Sequence, residues 1–216
     1  MTTPRVVGLF IAIVLTTVIW YPAFLGPLLP EGFVLRNLTQ QAIDWAFALV
    51  LIAIVVLWEK QPLSSMGFKA LNGENLGGGL GLGGFVMLGL VAWTLIVDSP
   101  RNLSMGADAP AGFYFWYAPL ALLTASFCEE VIYRGYAMER LLRMFRSPWP
   151  ALLIPHAAFS LMHIKDGWMK VLMVATVGFL FTWWYFRNRD LTMNIIGHAF
   201  VDAMAIIGAM FGIRAE

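Results

Sequence analysis

The sequence has 216 residues, 60% hydrophobic side chains, 12% charged ones and a net charge of +1, with a mean hydropathy of +0.74. A soluble domain carries about a quarter charged residues, so water is not the main solvent of this chain. Its few cations are scattered between apolar runs, which leaves no continuous basic surface to follow a phosphate backbone and excludes nucleic acid as a partner.

Apolar runs near the ~20 residues that span a hydrocarbon core recur along the whole chain. They predict one all-α domain over 1–216, a polytopic transmembrane helical bundle of about seven spans, at 6–28, 42–58, 76–97, 113–138, 149–164, 168–186 and 191–213. Helices are expected because lone strands cannot satisfy their backbone in lipid. The first segment opens with Pro4 and Arg5 like a signal peptide, but its apolar stretch is long and further spans follow, so an uncleaved first helix is expected. Between the second and third spans, residues 59–75 are polar enough to leave the core, with Leu63, Met66, Phe68 and Leu71 expected to hold them at the interface. In the third span Gly77 and Gly81, and Gly79 and Gly83, form two stripes at four-residue spacing suited to close helix packing. The fifth span is the shortest.

Trp20, Tyr21, Trp45, Trp58, Trp116, Trp149, Trp168, Trp183 and Trp184 lie mostly near span ends, where amphipathic rings favour the headgroup level. Alternate connections carry unequal numbers of cations. One side holds eight (Arg5, Lys60, Lys69, Arg140, Arg143, Arg146, Arg187, Arg189) and the other five (Arg36, Arg101, Lys165, Lys170, Arg214). The positive-inside rule then puts the N-terminus in the cytosol of a multi-pass cell-membrane protein.

Ionisable residues inside apolar spans are costly and mark functional candidates. The fourth span carries Glu129, Glu130 and Arg134, the fifth His163, and the seventh His198 and Asp202. Glu130 and Arg134 are four apart and share a helix face, which predicts a supporting ion pair. Glu129 projects about 100° away from Glu130 on a helical wheel and is left for another partner. At about 1.5 Å per residue from the expected cytosolic ends, Glu129 lies roughly 16 Å deep, His163 roughly 21 Å, His198 roughly 12 Å and Asp202 roughly 18 Å. All four fall in the middle of a core about 30 Å thick, although they come from three helices. His156, two turns before His163, is expected to line an entry path and stays outside the core set.

Glu129-Glu130-x-x-x-Arg134, Phe159-x-x-x-His163 and His198-x-x-x-Asp202 together resemble the three-motif signature of the CPBP family, the CAAX prenyl proteases and bacteriocin-processing proteins, also called the Abi family. The resemblance covers roughly 118–210, within a motif-bearing core of about 113–213. It implies a glutamate-dependent intramembrane endopeptidase that needs neither cofactor nor metal and acts on a membrane-embedded or lipidated peptide. By position, Glu129 is the general base, His163 orients the water or shuttles its proton, and His198 with Asp202 forms the oxyanion side. The third motif often ends in asparagine, and here the residue is Asp202. An ionised aspartate would repel the oxyanion, so Asp202 is expected to be protonated or, preferably, to orient His198.

Three other chemistries share these residues. Glu129, His163, His198 and Asp202 are all possible zinc ligands, although no helical His-Glu-x-x-His motif is present. Cys128 adjoins the set as a possible nucleophile. A proton relay in a transporter, or a non-catalytic scaffold, would also place acids and histidines within the bilayer.

Overall fold

The computed structural model describes residues 3–19, 24, 26–97 and 113–210. Trp20, Tyr21, Arg101 and Arg214, which entered the aromatic belt and the charge count, lie outside the described residues. Among the described residues seven helices follow in chain order and no strand occurs. They are α1 (Thr3–Ile19), α2 (Phe33–Trp58), α3 (Gly73–Val97), α4 (113–142), α5 (Trp149–Leu161), α6 (Trp168–Asn188) and α7 (Leu191–Met210). A 3-10 turn, Met162–Asp166, continues α5, and Gly178 interrupts α6 between Val177 and Phe179.

Four of these helices, α2, α3, α6 and α7, are long and apolar enough to cross a membrane. They expose large side chains such as Leu57, Leu95, Ile96 and Leu172, as the rim of a membrane bundle must. The charged helix occupies the centre. From Glu130 to Leu141 every residue of α4 is buried, including Arg134, Glu139 and Arg140, so neighbouring helices shield from lipid a segment that could not face it alone. The chain is thus a multi-pass helical membrane protein.

Helix α2 begins well before the expected 42, and its polar first turns find hydrogen-bond partners in the helix itself and on α4. Asn37 Nδ2 donates to the Phe33 carbonyl at 2.7 Å, and Gln41 Nε2 donates to the Tyr117 hydroxyl at 2.8 Å. Trp45 is likewise interior rather than interfacial. Its ring stacks on Phe127 at 5.2 Å, and its Nε1 donates to Thr124 Oγ1 at 2.9 Å.

Only one glycine stripe of α3 is used in packing. A Cβ on Gly79 would lie 2.7 Å from the Met193 carbonyl oxygen, and one on Gly83 2.8 Å from that of Gly197, so α3 and α7 approach backbone to backbone. Gly77 and Gly81 face open space among the described residues.

The 59–72 segment does not lie flat on the interface. Met66 is fully buried and Phe68 packs 6.0 Å from the Phe127 ring, while Leu63 and Leu71 are exposed. Polar ties hold the segment inside. Arg140 Nη2 pairs with Glu59 Oε2 at 2.7 Å, Arg140 Nη1 donates to the Ser65 carbonyl at 3.0 Å, and the Leu191 amide donates to the Gly67 carbonyl at 2.8 Å. Three connections therefore meet at one end of the bundle, the end that carries the larger share of cations.

Candidate active site

The middle of α4, Ala125–Met138, is wound as a π-helix. Its i→i+5 ring holds more residues per turn than an α-helix, so successive side chains diverge by less than 100°. Glu129 and Glu130 both reach His198 of α7. Such wide turns recur at functional sites.

His198 stands between the two glutamates. Its Nδ1 lies 3.1 Å from Glu130 Oε1, and its Nε2 lies 3.7 Å from Glu129 Oε2 and 3.7 Å from Asp202 Oδ2. A carboxylate can only accept, so Nδ1 carries a proton and donates it to Glu130. This arrangement differs from the expectation that Asp202 orients the ring. Glu130 makes the short contact, and Asp202, with a side chain 29% exposed, sits on the open side of Nε2.

Glu130 is the hub of the cluster and is completely buried. Oε1 also accepts from Arg134 Nη1 at 2.9 Å, and Oε2 accepts from Asn194 Nδ2 at 3.1 Å. The Asn194 amide is oriented by its surroundings, since its Nδ2 also donates to the Phe181 carbonyl at 3.0 Å and both neighbours are acceptors. The expected pairing of Glu130 with Arg134 is present, but it is one of three contacts on that carboxylate. Arg134 lies 4.3 Å over the Phe159 ring, a cation–π contact that anchors α5 to α4.

His163 sits on the 3-10 turn after α5 rather than within the α-helix. Its Nδ1 donates to the Phe159 carbonyl at 2.9 Å, which leaves Nε2 of the neutral ring as an acceptor. Among the described residues His163 meets the cluster through Phe159, whose ring touches both His163 at 5.2 Å and Arg134. His198 thus meets Glu129, Glu130 and Asp202, Arg134 joins through Glu130, and His163 is joined to Arg134 by one intervening ring.

Two residues given other tasks by the sequence lie elsewhere. His156 is buried and lines no entry path; its Nε2 is 2.9 Å from the Ala175 carbonyl and its Nδ1 is 3.2 Å from Thr182 Oγ1. Cys128 is fully buried in the hydrophobic core, the setting of an inert thiol rather than a nucleophile.

Sequence reasoning passed over Asn194 and Thr182, which are uncharged, and Asp44, which lies half-buried inside α2. Asn194, His198 and Asp202 recur at intervals of four on one apolar helix. That polar stripe was a readable signal for Asn194.

A cluster of acids and histidines at the centre of a helical membrane bundle, with one imidazole flanked by carboxylates on both nitrogens, has the groups that acid–base hydrolysis within a membrane requires. Residues 111–204, which contain all three motifs, match the family described as type II CAAX prenyl endopeptidase Rce1-like. That segment is thus similar to the CAAX-type membrane proteases, in agreement with the resemblance its three motifs carry. No curated protein and no solved structure matches the chain.

Proposed function

We propose that the protein cleaves a peptide bond in a membrane-embedded or lipidated peptide, with Glu129 as general base and His198 as the oxyanion donor. The observation that carries this reading is His198, held at Nδ1 by Glu130 while Nε2 opens toward Glu129 and Asp202. In the reaction a water attacks the scissile carbonyl carbon and Glu129 removes one of its protons. The Nε2 lone pair of His163 accepts the water's other hydrogen and aligns the attack. The carbonyl oxygen gains negative charge, which Nε2–H of His198 stabilises. Glu129 then returns its proton to the departing amine nitrogen as the C–N bond breaks, releasing a carboxylic acid, which keeps the water's other hydrogen, and an amine, without a covalent acyl-enzyme.

The oxyanion role needs the imidazolium form of His198, with a proton on each nitrogen. Glu130 on one side and Glu129 with Asp202 on the other supply its countercharge. Arg134 balances Glu130 in turn, so the buried charges are paired. The positive-inside count supports an N-terminus in the cytosol of a cell membrane, with the Glu59–Arg140 end of the bundle facing inward.

The test is cleavage in proteoliposomes of two synthetic substrates, a farnesylated peptide ending in a CAAX sequence and a peptide anchored by a transmembrane helix. Fragments are identified by mass spectrometry beside a Glu129→Gln control. Products from the wild type alone support the reading. A folded wild type that cleaves neither peptide removes it.

A further inference from the structure

The buried hydrogen bonds around Arg134 do not end at Glu130. Its second terminal nitrogen, Nη2, lies 3.3 Å from Thr182 Oγ1 on α6. Arginine has no acceptor, so the threonine oxygen accepts that bond and its own hydrogen is free to point elsewhere. His156 Nδ1, 3.2 Å away, is the acceptor that takes it. That assignment fixes the tautomer of His156. With Nδ1 accepting, Nε2 carries the proton, and Nε2 sits 2.9 Å from the Ala175 carbonyl, which can only accept. Every donor therefore meets an acceptor from the Ala175 carbonyl through His156, Thr182, Arg134 and Glu130 to Nδ1 of His198. The Phe179 ring closes edge-on against His156 at 5.2 Å, and both His156 and Thr182 are buried.

We infer that His156 and Thr182 are positioning residues for the reaction, setting the pose of Arg134 and through it the orientation of Glu130 and His198. This rests on the proteolytic reading above. The chain has a direction that a packing contact lacks. Arg134 is donor-only, so Thr182 must offer it a lone pair, and it does so without losing a hydrogen bond only while His156 takes the hydroxyl hydrogen. A side chain of the same volume with no acceptor at the Nδ1 position would let the Thr182 hydroxyl rotate toward Arg134. The guanidinium would then lose its second anchor. Glu130 has two further donors to satisfy, Asn194 and His198, so movement of Arg134 shifts the carboxylate that holds the catalytic ring.

The experiment pairs variants that differ only in which end of the chain they keep. Thr182→Ser retains the hydroxyl and Thr182→Val removes it at nearly constant volume. His156→Asn keeps an acceptor near Nδ1, whereas His156→Gln keeps a donor near Nε2. Each is reconstituted in nanodiscs and read in two ways: kcat and KM for peptide cleavage, and the Nδ1-bound proton of His198 in 15N-histidine NMR. The chain has only three histidines, so the resonances are assignable. Expected are a fall in kcat of roughly 10- to 100-fold with KM little changed, the range found for outer partners of active-site ligands, and a weakened His198 signal, in Thr182→Val and His156→Gln. Thr182→Ser and His156→Asn should preserve both readouts. The inference is overturned if Thr182→Val or His156→Gln, once folded, keeps the wild-type signal, or if kcat follows melting temperature across all four variants. If the wild type cleaves nothing while Thr182→Val still loses the signal, the positioning chain stands and the proteolytic reading falls.

Discussion

Nδ1 of His198 donates to Oε1 of Glu130 across 3.1 Å, and this bond ties the last motif of the chain to the first. Glu130 therefore does more than neutralise Arg134. Removing its carboxylate strips an acceptor from Arg134, Asn194 and His198 together. Breaking a buried pair by deleting one partner costs about 3–5 kcal/mol. Glu130→Ala should accordingly lower both the melting temperature in detergent and the cleavage rate. Glu130→Gln, which keeps one acceptor but presents an amide to neighbouring donors, should do the same to a smaller degree. A Glu130→Gln protein with wild-type stability and turnover would dismiss the hub.

Glu129 should behave in the opposite way. Its carboxylate makes no short contact with His198, at 3.7 Å, and its side chain is partly open, so it can meet a water. Glu129→Gln is nearly isosteric and cannot act as a base. We expect the melting temperature to stay near that of the wild type while cleavage falls by about 10² to 10⁴-fold, the usual contribution of a general base. Full activity in this variant would take Glu129 out of the mechanism.

The helical bundle and the three motifs were legible because each rests on a strong signal: long apolar runs, and ionisable residues within them. The contacts of Glu130 with Asn194 and His198 were not. A helical wheel parts Glu129 from Glu130 by about 100°, and it shows neither the π-winding of 125–138 nor that His198 of α7 reaches both carboxylates. No local sequence signal announced that winding. The bonds that Thr182 and His156 make escaped notice for another reason. Their importance lies in which atoms they bond across helices, and spacing along one helix cannot display that. The polar start of α2 falls outside the apolar run at 42–58, and the partner that Tyr117 of α4 gives Asn37 and Gln41 cannot be read along one helix.

Metal dependence is decided by chelation. Nδ1 of both His163 and His198 is bonded to an acceptor, an arrangement that leaves each Nε2 available to a proton or to a cation. Among the described residues, however, no three histidine, cysteine or acidic side chains converge as a cation site requires. Cleavage should therefore persist after treatment with EDTA and with 1,10-phenanthroline. Loss of activity that zinc alone restores would make the enzyme a metalloprotease.

The glycine stripes of α3 offer a test of the fold that is independent of chemistry. Gly79→Ala and Gly83→Ala each drive a methyl into backbone of α7, and overpacking of this kind costs about 1–3 kcal/mol. Gly77→Ala and Gly81→Ala add the same methyl to open space, where the better helix propensity of alanine makes them neutral or slightly stabilising. Melting curves of the four variants in one detergent should fall into these two pairs. Equal destabilisation by Gly81→Ala and Gly83→Ala would mean that α3 packs through a different face.

Asp202 stands where the family often has asparagine, and the geometry changes what is expected of it. If Asp202 oriented His198, its removal would free the ring. With Glu130 holding Nδ1 and Asp202 3.7 Å from Nε2, the ring should keep its pose without it. What Asp202 adds is negative charge on the side where the oxyanion forms, a charge that steadies the imidazolium but opposes the developing alkoxide. Asp202→Asn removes that charge and places an amide donor beside the oxyanion, so cleavage should be retained or should rise. Asp202→Ala removes charge and donor together but leaves Glu130 in place. Its loss should be smaller than that of His198→Ala, for which removing one oxyanion-hole donor sets a scale of about 10² to 10³ in kcat. The two Asp202 variants, His198→Ala and Glu130→Gln should be compared in one cleavage assay with melting temperature recorded for each. If Asp202→Asn is as inactive as His198→Ala at unchanged stability, Asp202 takes part in the proton transfers itself, and the division of labour between the two carboxylates of the His198 ring must be reversed.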